Sequence, residues 1–225
     1  MEKLPKINII YEDNHLLVIE KPVNIPVQED SSKDIDLITM LKDYRKHNEN
    51  KPGEAYIGLV HRLDRPVGGI MVFAKTSKAA SRLSDQIRQN TFHKKYIAVV
   101  QGTLPPKGEF EDYLIKNEKQ NISYVTTKDK GKYSKLEYKV LKEKDNLSLV
   151  EINLITGRSH QIRVQFSSRN HPLVGDSKYG HNPDNINIAL FAKELTLIHP
   201  TTKEEMTFTL DMPKRYPFNI CKQPH

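Results

Sequence analysis

Cysteine is almost absent. The single one, Cys221, has no partner in the chain, which excludes an internal disulfide and fits a reducing compartment. Long apolar runs are missing too. No stretch approaches the roughly 20 residues of a membrane-spanning helix, and the opening Met1-Glu2-Lys3-Leu4-Pro5 has no apolar signal segment. The expected location is the cytoplasm, with no membrane partner. Several catalytic signatures are also absent. There is no Gly-Lys-Ser/Thr phosphate loop and no Gly-x-Gly-x-x-Gly fingerprint, so no nucleotide cofactor is expected. There is no His-Glu-x-x-His and no paired Cys/His spacing, so no metal is expected either. No Gly-x-Ser-x-Gly elbow occurs, and Cys221 lacks the local setting of a nucleophile. Internal repeats and low-complexity segments are not found.

What is present is an excess of positive charge. Across 225 residues, 35 Lys+Arg stand against 28 Asp+Glu, a formal net charge of +7. Such a balance suits a polyanionic partner. Apolar residues make up 37% and are clustered, enough for one core.

The chain opens with two short β-rich runs, 7–12 and 15–21, joined by the turn Asp13-Asn14. Lys21-Pro22 ends the second. Leu37, Ile38, Leu41 and Tyr44 fall at helical spacing over 36–44, and 47–53 reads as a polar linker. Ser77 is the expected N-cap of a helix reaching about Gln89, with Ala80, Leu83 and Ile87 inward. Residues 93–102 form a basic step followed by a strand. On propensity alone Tyr96 is a half-buried strand residue. The stretch 107–132 has weaker periodicity. Its Lys116, Lys119, Lys128, Lys130 and Lys132 fit either a hairpin arm along a phosphate backbone or a solvated loop. Strands are expected over 136–141 and 147–155 around the turn Lys144-Asp145-Asn146, and again over 189–198 and 205–210. The Pro-rich tail, 212–225, is expected to be loosely ordered.

Two stretches carry chemistry. In Gly58 to Thr76, a short apolar lead delivers His61, Arg62, Asp64 and Arg65 close together. Pro66 and Gly68-Gly69 then bend the loop into the apolar run Ile70 to Ala74. Two neighbouring guanidiniums are expected to keep Asp64 ionised. The second stretch is Gly157-Arg158-Ser159-His160-Gln161-Ile162-Arg163. There Ser159 is the expected helix cap, Ile162 and Phe166 face the core, and His160 reads as a structural hydrogen-bonding residue.

His61-Arg62-Leu63-Asp64, followed by a glycine turn and an apolar strand, resembles the signature of the RluA family of RNA pseudouridine synthases. The resemblance extends in order through Lys21-Pro22, Lys94-Lys95-Tyr96, Gly157 to Arg163, His171-Pro172-Leu173-Val174-Gly175-Asp176 and His199-Pro200. One departure stands out: Val67-Gly68 occupies the place of the family's Thr-Ser, removing two hydroxyls. The resemblance implies an α+β fold, a single catalytic domain over 1–225 without a preceding S4-like domain. Its sheet would be bent, mixed and mostly antiparallel, with flanking helices and a central active-site cleft. It implies isomerisation of specific uridines in structured RNA, ribosomal or transfer, with no cofactor; the lack of an obvious coiled coil or spare apolar stripe favours a monomer. Asp64 would be the essential carboxylate, Arg163 its partner, and Tyr96 the residue stacked on the base. Arg62 would fill the gap left by the flipped nucleotide. His61, Arg65, Arg158 and Ile162 are expected on the substrate side. The alternative is a non-catalytic RNA-binding module that keeps the fold.

Overall fold

The computed structural model describes residues 7–49 and 55–221, which form eleven β-strands, three α-helices and one 3-10 helix. Two compact units divide the chain: Met1–Phe92 with Glu194–Leu210, and His93–Lys193 with Asp211–His225.

In the first unit, β1 (Asn8–Glu12) and β2 (Leu16–Lys21) form an antiparallel hairpin. Asp13 closes its turn, accepting from the backbone N–H of His15 at 2.7 Å and of Leu16 at 2.6 Å. After α1 (Leu37–Glu49) and β3 (Gly58–Leu59), β4 (Gly68–Ala74) pairs with β2 from Leu16 opposite Ala74 to Lys21 opposite Gly69. That register sets Lys21 against the start of β4, where the Asp64 loop ends. Asp36 caps α1 by accepting from Thr39 N at 3.1 Å. The helix outruns its expected end and takes in His47, because Arg45 extends the Leu37 and Leu41 stripe by another turn and is itself buried. Residues 50–53 of the expected linker lie outside the described residues.

Helix α2 (Ser77–Arg88) is capped by Thr76, one residue before the expected Ser77: the Thr76 hydroxyl accepts from Ala79 N at 3.1 Å. Its buried Ala79 and Leu83 join Leu16, Val18, Ile70, Val72 and Phe92 in a core that also takes Leu195, Leu197 and Phe208. The last three come from β10 (Leu190–Ile198) and its antiparallel partner β11 (Glu205–Thr209).

The second unit is a five-stranded antiparallel arrangement. β5 (His93–Gln101), β9 (Leu147–Leu154), β8 (Lys132–Lys144), β6 (Lys107–Asn117) and β7 (Ile122–Thr126) lie side by side in that order. The weakly periodic stretch 107–132 is therefore mostly strand. Asp145 and Asn146, both with φ near +55° (53° and 59°), make the two-residue turn from β8 to β9. That is the conformation a right-twisted hairpin favours and that Asn and Asp tolerate. Helix α3 (Gln161–Ser167) lays Phe166 against Phe110 and Tyr138, with ring centroids 5.0 and 5.7 Å apart. Proline content suggested a loose tail, yet Phe218, in the 3-10 helix Phe218–Cys221, is fully buried. Arg215 lies over its ring and donates to Ile188 O at 3.0 Å. Residues 222–225 lie outside the described residues.

Candidate active site

The loop leading into β4 is built around a buried lysine. Lys21 is 1% exposed. Its Nζ donates to the carbonyls of Pro22 (2.9 Å), Arg65 (2.9 Å) and Val67 (2.8 Å). Three acceptors match the three donors of an ammonium and leave none over. Burial pulls the Lys21 pKa down to about 7, Asp64 pushes it up and Arg65 pulls it down. The three carbonyls favour the cation, since only that form supplies three protons. Within the loop, Val67 N donates to Asp64 O at 2.9 Å, closing a turn over Asp64–Val67. Gly69, with φ of +122°, carries the chain out of that turn into β4. Val67 is buried, and its carbonyl is one of the three held by Lys21. The hydroxyls missing at Val67-Gly68 are thus not needed to fix this backbone; a lysine from β2 fixes it.

The side chains of the loop diverge. Arg65 turns to the segment 24–34: it donates to Asn24 O at 3.2 Å and Ser32 Oγ at 2.9 Å, pairs with Asp34, and lies 3.7 Å from Asp30. Its hydrogen bond heads the causes that lower the Asp34 pKa. Arg62 reaches Gln28 Oε1 at 3.3 Å. Both arginines have partners in the 24–34 segment, and Asp64 lies close enough to Lys21 to push that lysine's pKa up. His61 accepts from Val72 N through Nε2 at 3.1 Å, with its ring edge-on to Phe92, so it serves the frame of β4.

In the second unit, Tyr96 stands on β5 opposite Ile152 and is 5% exposed. Lys94, two residues earlier on the same face, has its pKa lowered to about 8 by burial. A Cβ on Gly157 would sit 3.1 Å from Lys94 Nζ, so the glycine leaves the ammonium its room. Arg163, on α3, forks onto Asp176: Nε to Oδ2 at 2.8 Å and Nη2 to Oδ1 at 2.7 Å, both residues buried. Burial would raise the Asp176 pKa. Arg163 and the N–H groups of Lys178 and Tyr179 outweigh it and hold the carboxyl below its usual value.

The N-terminus of α3 is not capped by Ser159. His160 takes that position in a left-handed conformation (φ +53°) with no side-chain cap bond. Gln161 bends back instead, its Oε1 accepting from Arg158 N at 3.0 Å and Thr156 Oγ1 at 2.8 Å. His160 Nδ1 is 2.7 Å from Tyr179 OH, which itself accepts from Ser123 N at 2.7 Å, so the histidine is a structural member of a chain. Arg158 Nε donates to Tyr133 O at 2.9 Å. Ile162 is 4% exposed.

Asp64, His61, Arg62 and Arg65 thus share one loop of the first unit, while Tyr96, Arg158, Ile162 and Arg163 belong to the second. Sequence reasoning did not find the roles of Lys21, Lys94 and Asp176. Each lies inside a matched motif, and the one local signal was a charged residue closing an apolar strand at Lys21. Among the described residues no three His, Cys, Asp or Glu side chains gather as a metal site, and no helix is long and apolar enough to cross a membrane.

The fold is that of the RNA-modifying synthases that make pseudouridine. A human RNA pseudouridylate synthase domain containing 4 structure superposes with a TM-score of 0.79, covering 97% of this chain and 95% of that one at 22% identity. The human domain containing 1 protein gives 0.77, covering 100% and 92% at 23% identity. The family model described as RNA pseudouridylate synthase matches residues 15–168, and the chain belongs to that family. Over 212 residues it is 34% identical to a ribosomal large subunit pseudouridine synthase C of Buchnera aphidicola subsp. Baizongia pistaciae, covering 89% of this chain. It is 33% identical over 224 residues to an uncharacterized RNA pseudouridine synthase of Bacillus subtilis, covering 96% of this chain and 72% of that protein. The chain spans 65% of the length of the Buchnera relative.

Proposed function

We propose that the chain is an RNA pseudouridine synthase, an isomerase that converts uridine to pseudouridine in structured RNA. The N1–C1′ bond breaks, the uracil turns, and C5 bonds to C1′. The C5 proton leaves to solvent while N1 gains one, so atoms and electrons balance without a cofactor. The observation that carries the reading is the Lys21-clamped turn, which fixes the backbone from Asp64 to Val67 in a family whose model spans this loop. Asp64 either attacks C1′ or removes a ribose proton to give a glycal; both routes need it ionised and immobile. Arg163 is the arginine that orients it. Tyr96 stacks on the target base. Arg62 fills the space of the flipped nucleotide, whose extrusion costs a few kcal/mol. His61, Arg65, Arg158 and Ile162 border the substrate. Ribosomal RNA is the favoured substrate over transfer RNA, because curated relatives carry ribosomal large subunit names. A cytoplasmic monomer is the working form.

The test is tritium release from RNA labelled at uracil C5. Wild type is expected to release label from ribosomal RNA, and Asp64→Asn to release none. No release by wild type from ribosomal or transfer RNA would leave an RNA-binding module that keeps the fold.

A further inference from the structure

The outward face of the second unit carries an aromatic row that no step of the reaction uses. Register defines it. Tyr113 on β6 lies opposite Thr126 on β7 and Tyr133 on β8, and Ile115 lies opposite Tyr124. Directly opposed residues share a face, so Tyr124, Tyr113 and Tyr133 run diagonally across three adjacent strands. The other face of these strands carries Phe110, Leu114 and Leu136, which are buried, with Phe166 of α3 against Phe110. The row is open at its two ends, where Tyr124 is 49% and Tyr133 41% exposed, while Gly131 of the turn after β7 packs against Tyr113 at its middle. Tyr113 braces Tyr133 edge-on, with centroids 5.9 Å apart.

Lysines stand at both ends of the row. Lys119 is exposed in the turn between β6 and β7, and Lys128 and Lys130 are exposed in the turn between β7 and β8; Lys132, opposite Leu114, belongs to the other face. The nearby carboxylates are mostly engaged. Glu109 and Glu111 pair with Lys135, and Glu118 with Lys116, which leaves Asp129 as the acid of the second turn. A protein partner fits this face badly. Lysine is depleted in protein interfaces, and three tyrosines with two half-buried isoleucines are small beside the roughly 800 Å² per side of a stable contact. A second copy would bring the same lysines together. A single strand of RNA fits: every base offers a π-face, and phosphates match the lysines. Adjacent strands are about 4.8 Å apart, so the row spans two or three bases. Sheet-borne aromatics read unpaired RNA in this way.

We propose that the outward face of β6, β7 and β8 is an auxiliary docking surface for unpaired RNA, with bases stacked on Tyr124 and Tyr133 and phosphates met by Lys119, Lys128 and Lys130. It rests on the reading of the chain as RNA-directed, though not on turnover. Its role is to hold a single-stranded segment of the RNA substrate.

The experiment uses the full chain and a fluorescein-labelled oligoadenosine of about twelve nucleotides, which contains no uridine to isomerise. Binding is read by anisotropy at roughly 50 mM salt, with a thermal melt of each variant as the folding control. Tyr124→Ala and Tyr133→Ala are each expected to weaken binding about 5–10-fold or more, and Tyr124→Phe and Tyr133→Phe to keep it. Replacing Lys128 and Lys130 by Gln should reduce the slope of log affinity against log salt by about 1.4. Wild type that does not bind the probe, alanine variants that bind as wild type does, or phenylalanine variants as weak as alanine would each overturn the proposal. So would a tyrosine effect confined to self-association. Tritium release separates this inference from the functional reading. Probe binding that follows the tyrosines without release leaves the surface standing and removes the synthase. Release with tyrosine-independent binding does the reverse.

Discussion

Take away the ammonium of Lys21 and three carbonyls on the Asp64 loop and its neighbour lose their donor at once. A buried polar group left without its partner costs about 1–3 kcal/mol, set against relief from burying a charge. Lys21→Met is therefore expected to lose about 2–4 kcal/mol in urea unfolding. Tritium release should drop at least about 100-fold, since a displacement near 1 Å is enough for that. Lys21→Arg should not restore it, because a planar fork cannot point three donors at three converging carbonyls. Recovery of full activity in Lys21→Arg would sink the clamp.

Lys94 offers the opposite sign. Its folded pKa, about 8, lies below its usual 10.5. The folded state therefore binds that proton less tightly than the unfolded chain, and carrying the charge costs stability. The cost is full below about pH 8 and fades as pH rises toward 10.5. Lys94→Met should raise unfolding stability at pH 7 by about 1–3 kcal/mol, with the gain over wild type shrinking by pH 9.5. A gain independent of pH would mean that packing, not charge, is responsible.

At the scale of elements, α3 is pinned from behind. Arg163 and Asp176 are both buried, and removing one leaves the other unpaired at a cost of about 3–5 kcal/mol. Arg163→Ala is expected to lose that much. Asp176→Asn should lose less, since an amide oxygen still accepts one bond. The Asp176 carboxyl sits below its usual 3.8, so its stabilisation is full above that pH and disappears as pH falls through the lower folded value. Wild type should lose stability in acid more steeply than Asp176→Asn, read as melting temperature against pH. Equal acid sensitivity would remove this ion pair from the account.

Much of this scale was legible beforehand. The β-rich run over Leu16–Lys21, the apolar alternation over Leu147–Leu154 and the turn residues Asp145-Asn146 marked strands and turn, because β propensity, a period of two and turn chemistry are local properties. The caps were misread by one residue because Thr76 beside Ser77 offers a competing hydroxyl, and because His160, left-handed and without a side-chain cap bond, takes the place expected of Ser159. Strands β6 and β7 were obscured because the outward face of β6 alternates Glu109, Glu111 and Tyr113 with a buried Phe110, which weakens the hydrophobic period. The Asp64 loop was visible as a motif. Its clamp was not, since Lys21 and Arg65 are 44 residues apart and meet only through the β2–β4 register.

On the scale of the whole molecule, a net charge of +7 and a sequence pI near 9.2 give the chain a general attraction for RNA that does not depend on the Asp64 carboxylate. Binding and chemistry should therefore separate cleanly in one variant. Asp64→Asn removes a negative charge while keeping the shape of the side chain. Its affinity for ribosomal RNA at moderate salt should equal or exceed that of wild type, while tritium release falls by at least about a thousandfold, as expected when an essential reacting group is lost. The salt slope should stay within about one charge of wild type, because no phosphate contact has been removed. If Asp64→Asn instead lost RNA affinity in step with turnover, the carboxylate would be shaping the RNA site rather than reacting in it. The Lys21-clamped turn would then be a binding device.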